Sequence, residues 1–265
     1  MPQFSLRDDV RVSGLPAFGD NYLWLVVCGG AAVVVDPGDS AVVSAALAAH
    51  SLSLQAILLT HHHPDHIGGV AALKSAWHCP VFGPDDARVP ADHRVQEGDS
   101  IHVPALRMTW DVWAVPGHTR SHLAYLSGDT MFVGDTLFGG GCGRVFEGDP
   151  ASLFRSLQRI ASLPGETRVC AAHEYTLDNL RFALELEPDN EALIARYART
   201  RAMRAAGQPT LPMLLADECA SNPFLRTDQP GLRARAALHA GMPLDDAEAT
   251  FKAIRAWKNS YVAKH

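Results

Sequence analysis

The chain has 265 residues, 47% hydrophobic and 20% charged, which is enough material for a full core and suits a globular enzyme. A formal net charge of −6 argues against a general nucleic-acid binder, which needs a basic face. The acid excess lies in residues 1–175, with 11 Lys+Arg against 18 Asp+Glu; residues 176–265 hold 12 against 11. Five cysteines (Cys28, Cys79, Cys142, Cys170, Cys219) form no CxxC pair, so a disulfide framework is not expected and a reducing compartment is. No apolar run approaches the ~20 residues of a membrane span, and the start MPQFSLRDDV lacks the basic-then-apolar layout of a signal peptide. A cytoplasmic protein without a membrane or nucleic-acid partner is expected.

In chain order, NYLWLVV (21–27) and AAVVVD (31–36) are β-branched apolar runs joined by Gly29-Gly30, a hairpin signal. Asp36-Pro37-Gly38-Asp39 reads as a turn, 41–50 as an Ala/Val/Leu helix and QAILLT (55–60) as a short buried strand. Gly68-Gly69 leads into a helix near 70–77. Strands are expected near 80–83, 107–115, 122–127 and 130–134, then a helix near 150–162 and a strand at 168–172. From about 175 onward strand-like runs disappear, and helical spacing dominates 185–206 and 245–258. No Pro/Gly linker marks this change, so the second part reads as a packed extension.

The loop after the 55–60 strand reads Thr60-His61-His62-His63-Pro64-Asp65-His66. Imidazole and carboxylate are the donors that suit zinc and similar first-row metals. Positions two apart in an extended loop project to one side, so His61 and His63 can grip one ion. Asp65 and His66 can turn toward a second, while His62 points away. Other donors stand at strand ends, where layered α/β folds place functional residues: His118 after Pro116-Gly117, Asp135 after Phe132-Val133-Gly134, and His173 after Ala171-Ala172. Asp129 lies in a near copy of the Asp135 segment, but it precedes the apolar run and reads as a turn residue. Asp36 reads equally as a turn former or as a group orienting a ligand histidine, and it is not assigned to the site.

At these residues the chain resembles the metallo-β-lactamase superfamily, and within it the glyoxalase II (hydroxyacylglutathione hydrolase) family. The resemblance rests on THHHPDH (60–66), PGHT (116–119), GDTLF (134–138), GCGRVFEG (141–148), AHEYT (172–176), NPFLR (222–226) and RAWK (255–258). The first motif marks the superfamily alone; the GDTLF–GCGR–HEYT run with a helical tail is specific to glyoxalase II.

The resemblance implies an α/β, four-layered αββα sandwich over 1–174 and a helical substrate-binding domain over 175–265. It implies two divalent metal ions, zinc with iron or manganese as alternatives. His61, His63 and His118 would hold one, Asp65, His66 and His173 the other, with Asp135 bridging; Asp65 and Asp135 are the catalytic carboxylates. Arg144, Tyr175, Arg255 and Lys258 would contact the glutathione part of the substrate, with Phe146 where many relatives have Tyr. Pro64 replaces a Trp common in relatives and removes no ligand.

The implied substrate is a small glutathione thioester, S-D-lactoylglutathione, cleaved to glutathione and D-lactate by a monomeric enzyme in methylglyoxal detoxification. Two close cations can lower the pKa of a shared water from ~15.7 toward neutrality, giving a hydroxide nucleophile. The leaving thiolate needs no general acid, since thiol pKa values are ~8.5. No G-x-S-x-G is present, and Cys142 has no evident base partner. Within the superfamily, a persulfide dioxygenase or a different thioesterase is the nearest alternative. A metal-stabilised interaction protein would close its zinc with four ligands, fewer than this set offers.

Overall fold

Successive side chains of a strand face opposite ways, so a strand buried on both sides must be apolar throughout. Residues 22–28 and 31–35 meet that condition, and they lie in neighbouring inner strands of one sheet. The computed structural model describes residues 1–7 and 9–261; residue 8 and the last four residues of the expected 175–265 domain lie outside the described residues. These condense into two compact units that are not consecutive in sequence. The first comprises the described residues of Met1–Val115 with Ser121–Gly134 and Val169–His173; the second comprises Pro116–Arg120, Asp135–Arg168 and the described residues from Glu174 onward.

The first unit holds a sheet of seven strands lying in chain order: Gln3–Arg7, Val10–Ala17, Asn21–Cys28, Ala31–Val35, Ser53–Leu58, Val81–Pro84 and His93–Val95. The first four pair antiparallel and the last four run parallel. The hairpin expected at Gly29-Gly30 is present, with Cys28 opposite Ala31. The first two strands have no counterpart in the sequence expectations. Gly14 and Pro16 weaken the second as a strand candidate, but pairing along its whole length with 21–28 overrides local propensity.

Helices Ser40–Ala49 and Val70–Trp77 cover one face of this sheet. Val43, Leu47, Val70 and Leu73 pack there against Leu23, Leu25, Val34, Ile57 and Leu59. Each such fully buried side chain contributes about 1.5–3 kcal/mol. The opposite face meets a second sheet, whose strands run in the order Arg168–Ala171, Thr130–Gly134, Leu123–Ser127, Met108–Ala114, Ser100–Val103. Trp24 bridges the two: its ring lies 6.4 Å from that of Phe132, and its Nε1–H donates to the Ala171 carbonyl at 2.9 Å. The Tyr125 hydroxyl donates across to the Leu59 carbonyl at 2.6 Å.

Because Ala31–Val35 and Ser53–Leu58 are parallel neighbours, their carboxyl ends share one sheet edge. That places the turn after Val35 beside the histidine loop. Glycines let the two backbones touch. A Cβ on Gly38 would lie 1.8 Å from the Asp65 carbonyl oxygen, and Gly69 N–H donates to the Pro37 carbonyl at 2.9 Å.

The second unit is mainly helical, with Pro150–Ala161, Thr176–Leu186, Glu191–Ala205, Leu215–Ser221, Pro230–Ala240 and Ala247–Ser260. The helical pattern expected across 185–206 is two helices. Pro188 cannot continue the first, and the Asn190 side chain caps the next by accepting from Leu193 N–H. Strand structure does not vanish after 175: Met213–Leu214 is a two-residue strand. Phe154, Phe251, Phe224 and Phe182 form a chain of rings with centroids 5.6, 5.7 and 6.4 Å apart. Among the described residues, no helix is long and apolar enough to cross a membrane.

Candidate metal centre

In the first unit, the strand Ser53–Leu58 delivers Thr60 and His61 to a buried position at its carboxyl end. The chain then turns into a single helical turn, Pro64–Ile67. Pro64 sits at its first position, where a fixed φ and a missing N–H cost nothing. His61 Nε2 and His63 Nδ1 lie 3.0 Å apart, so the two imidazoles converge as their spacing suggests. His62 turns instead toward Asp86, with Nδ1 3.9 Å from its carboxylate.

Asp65, His66 and His173 form a second convergence. Asp65 Oδ2 is 3.4 Å from His66 Nε2 and 3.5 Å from His173 Nε2. One donor atom from each of the three lies within 4.8 Å of the others. The far nitrogen of each ring is held. His66 Nδ1 lies 2.9 Å from Asp36 Oδ2, and His173 Nδ1 lies 2.8 Å from Asp20 Oδ1. A carboxylate on Nδ1 keeps the proton there and leaves the Nε2 lone pair facing Asp65. Asp36 also accepts from Thr60 N–H at 2.8 Å and from the Thr60 hydroxyl at 2.6 Å.

The second unit carries His118 and Asp135, with His118 Nε2 3.3 Å from Asp135 Oδ2. His118 Nδ1–H donates to the Arg144 carbonyl at 2.7 Å, which fixes the same tautomer, since a carbonyl can only accept. Gly117, at φ 153, and Gly143 make this possible. A Cβ on Gly117 would lie 2.4 Å from Leu153 Cβ, and one on Gly143 would lie 2.0 Å from the Asp135 carbonyl oxygen. Asp129, by contrast, lies in the turn between strands Leu123–Ser127 and Thr130–Gly134.

Buried imidazoles with oriented Nδ1–H groups and Nε2 atoms gathered on a carboxylate are a donor set that fits divalent first-row metals.

The residues expected to contact substrate all lie in the second unit. Arg144 is exposed, with its guanidinium carbon 5.5 Å from the centre of the Phe146 ring, and that ring lies 5.3 Å from His118. Tyr175 is half-buried, edge-on to Phe138 at 5.3 Å. Arg255 is buried rather than displayed on a helix face. It donates to the Cys142 carbonyl at 3.0 Å and to Asn259 Oδ1 at 3.2 Å. Lys258 is half-buried against the Phe182 ring at 5.0 Å. Burial, and then the positive charge of Arg255, push its ammonium down to about 8. Burial pushes the Cys142 thiol up, which disfavours it as a nucleophile.

Sequence reasoning left out four residues of this centre. Asp36 was open to either reading, and the structure places it on His66. Its signal was its position at the carboxyl end of a strand parallel to the one bearing the histidine loop. Asn21 stood only as the first residue of the expected 21–27 strand, and Asp20 before it carried no motif; Asn21 Nδ2 donates to Asp65 Oδ2 at 2.9 Å. His122, stacked on His61 at 4.6 Å, stood at the start of an expected strand without a motif to mark it.

Comparison with known proteins places two family models on the chain. The metallo-beta-lactamase superfamily matches residues 17–173, and the hydroxyacylglutathione hydrolase C-terminus matches residues 174–261. The hydroxyacylglutathione hydrolase of Xanthomonas campestris pv. campestris (strain B100) is 50% identical over 259 residues, covering 96% of this chain and 100% of that protein. Among solved structures, TTHA1623 in a di-iron-bound form aligns at 34% identity with a TM-score of 0.52, covering 61% of this chain and 91% of that one. The BLEG-1 B3 metallo-beta-lactamase, at 23% identity and a TM-score of 0.61, covers 81% of this chain and 99% of its own and shares the fold.

Proposed function

The chain belongs to the hydroxyacylglutathione hydrolase family of the metallo-beta-lactamase superfamily, and from that premise we propose that it hydrolyses S-(2-hydroxyacyl)glutathione thioesters. S-D-lactoylglutathione is the substrate we assign, with glutathione and D-lactate as products, a step of methylglyoxal detoxification. The observation that carries this reading is the gathering of His66 and His173 Nε2 on Asp65, in a chain that a relative of that name matches over 96% of its length. The C-terminal family match over 174–261 favours it over a persulfide dioxygenase or another thioesterase.

In this reading His61, His63 and His118 would hold one divalent ion and Asp65, His66 and His173 a second, with Asp135 the carboxylate shared between them. Zinc is the metal we assign, with iron and manganese as alternatives that the same donors tolerate; the di-iron form of TTHA1623 keeps iron in view. Such ions, when bound, supply Lewis acidity toward a carbonyl and lower the pKa of a water toward neutrality.

The chain's own residues do the rest. Asp65 and Asp135, the catalytic carboxylates, each face their imidazoles through Oδ2. Arg144 and Lys258 supply positive charge for the glutathione carboxylates. Arg255 adds to that field while bracing the glycine-rich loop through Cys142. Tyr175 offers a hydroxyl, and Phe146, exposed beside His118, an apolar face for the acyl-thioester part. Residues 175–265 then act as the substrate-binding domain and residues 1–174 as the catalytic domain. Five unbridged cysteines support a reducing, cytoplasmic setting, and the acidic charge supports the absence of a nucleic-acid partner; the enzyme is taken to act as a monomer. Turnover of S-D-lactoylglutathione by the metal-loaded protein tests the reading.

A further inference from the structure

We propose that the dipeptide Asp20-Asn21 is a clamp that selectively holds the Asp65–His66–His173 set, each residue positioning a different ligand of the same ion. The inference deepens the metal assignment above and rests on it.

The geometry is specific to one set. Asp20 Oδ1 lies 2.8 Å from His173 Nδ1, and Asn21 Nδ2 donates to Asp65 Oδ2 at 2.9 Å. His173 and Asp65 are 108 positions apart in the chain, yet they are gripped by neighbours in sequence. The clamp is itself anchored. Asn21 is buried and forms an isolated antiparallel bridge with His173, and Tyr22 N–H donates to the Ala172 carbonyl at 2.7 Å. The backbone therefore fixes where the two side chains start, and little rotamer freedom is lost in making the contacts.

The two contacts act differently. A carboxylate on Nδ1 fixes the His173 tautomer and raises the basicity of Nε2. An amide donor on Asp65 Oδ2 uses one of its two lone pairs and leaves the other pointing toward His66 and His173. Asp36 supports His66 from the opposite side, so every residue of this set has an outer partner. His61 has a different support, its Nδ1 lying 3.0 Å from the Thr60 hydroxyl oxygen. Weakening the clamp should therefore release one ion before the other.

The test is zinc binding by wild type, D20A, D20N and N21A, with metal counted per chain across graded free zinc set by a competing chelator. Wild type should bind two ions. D20A and N21A should lose about 10–100-fold in affinity for one ion while keeping the other. D20N, whose amide oxygen can still accept from Nδ1–H, should fall between them. Unchanged affinity for both ions in D20A and N21A overturns the clamp, and so does equal weakening of both, which would mark a merely structural role. Should D20A or N21A fail to fold, D20N decides, because the Asp20 side chain is 46% exposed and the change is nearly isosteric. A wild type that binds fewer than two ions removes the metal assignment and the clamp with it. Two ions in wild type with unaffected variants removes the clamp alone.

Discussion

Asp36 Oδ2 lies 2.9 Å from His66 Nδ1, so a residue in the turn after one strand fixes a histidine delivered by its parallel neighbour. The same carboxylate accepts from both the amide and the hydroxyl of Thr60. Asp36 holds φ 51, a left-handed conformation that Asp tolerates better than most residues. D36A should leave three donors short of a partner, each costing about 1–3 kcal/mol if buried water does not replace it. The expected result is a lower urea midpoint and loss of one zinc per chain; unchanged metal content would show that His66 is held otherwise.

Gly38 is where the turn and the histidine loop meet. Its added Cβ would strike backbone, the Asp65 carbonyl, and backbone cannot rotate away as a side chain can. G38A should therefore displace Asp65 and cost more than about 2 kcal/mol of stability. A G38A protein with wild-type zinc content and melting temperature would contradict this packing.

Glu218 is fully buried and ion-paired with Arg196; its Oε2 also accepts from Gly140 N–H and Asn222 Nδ2, each at 2.9 Å. The glycine-rich loop that carries Cys142 is thereby tied to helix Leu215–Ser221. Removing one partner of a buried pair leaves the other charge uncompensated, so E218A should cost about 3–5 kcal/mol in denaturant unfolding. E218Q, which retains an acceptor, should cost less.

Lys258 should leave a pH signature. Its folded-state value of about 8 lies below the ordinary 10.5, first because of burial and then because of Arg255. Between about 8 and 10.5 the unfolded chain holds a proton that the folded chain has released, so stability rises with pH across that window. Below about 8 both states are protonated and the burial penalty is constant. Substrate binding runs the other way: as the ammonium loses its charge, KM for the glutathione thioester should rise around pH 8. K258M should have a high KM with that rise removed. A KM that climbs identically in both proteins would assign the titration elsewhere.

The histidine loop was legible because its candidate donors are close in sequence, and His61, His63, Asp65 and His66 within six residues constrain the chemistry before any fold is known. His118, Asp135 and His173 were legible as strand-end residues. Their outer partners were not, for a physical reason. Asp20 lies 153 positions from His173 and Asp36 lies 30 from His66, and an Asp in a turn looks the same whether or not it touches a histidine. The central strands were visible as unbroken apolar runs, whereas Val10–Ala17 was hidden by Gly14 and Pro16 and is held by tertiary pairing. The RAWK motif marks Arg255 as a substrate contact by resemblance, but its burial on Cys142 depends on packing between distant segments that the motif does not encode.

The most direct test of the central claim is hydrolysis of S-D-lactoylglutathione by the zinc-loaded protein beside a His63→Ala variant, with metal counted in both. The account predicts two ions and rapid turnover in wild type, and in the variant a lost ion with activity reduced more than about 100-fold. No turnover by a wild type holding two ions, or full turnover by the variant, would contradict it.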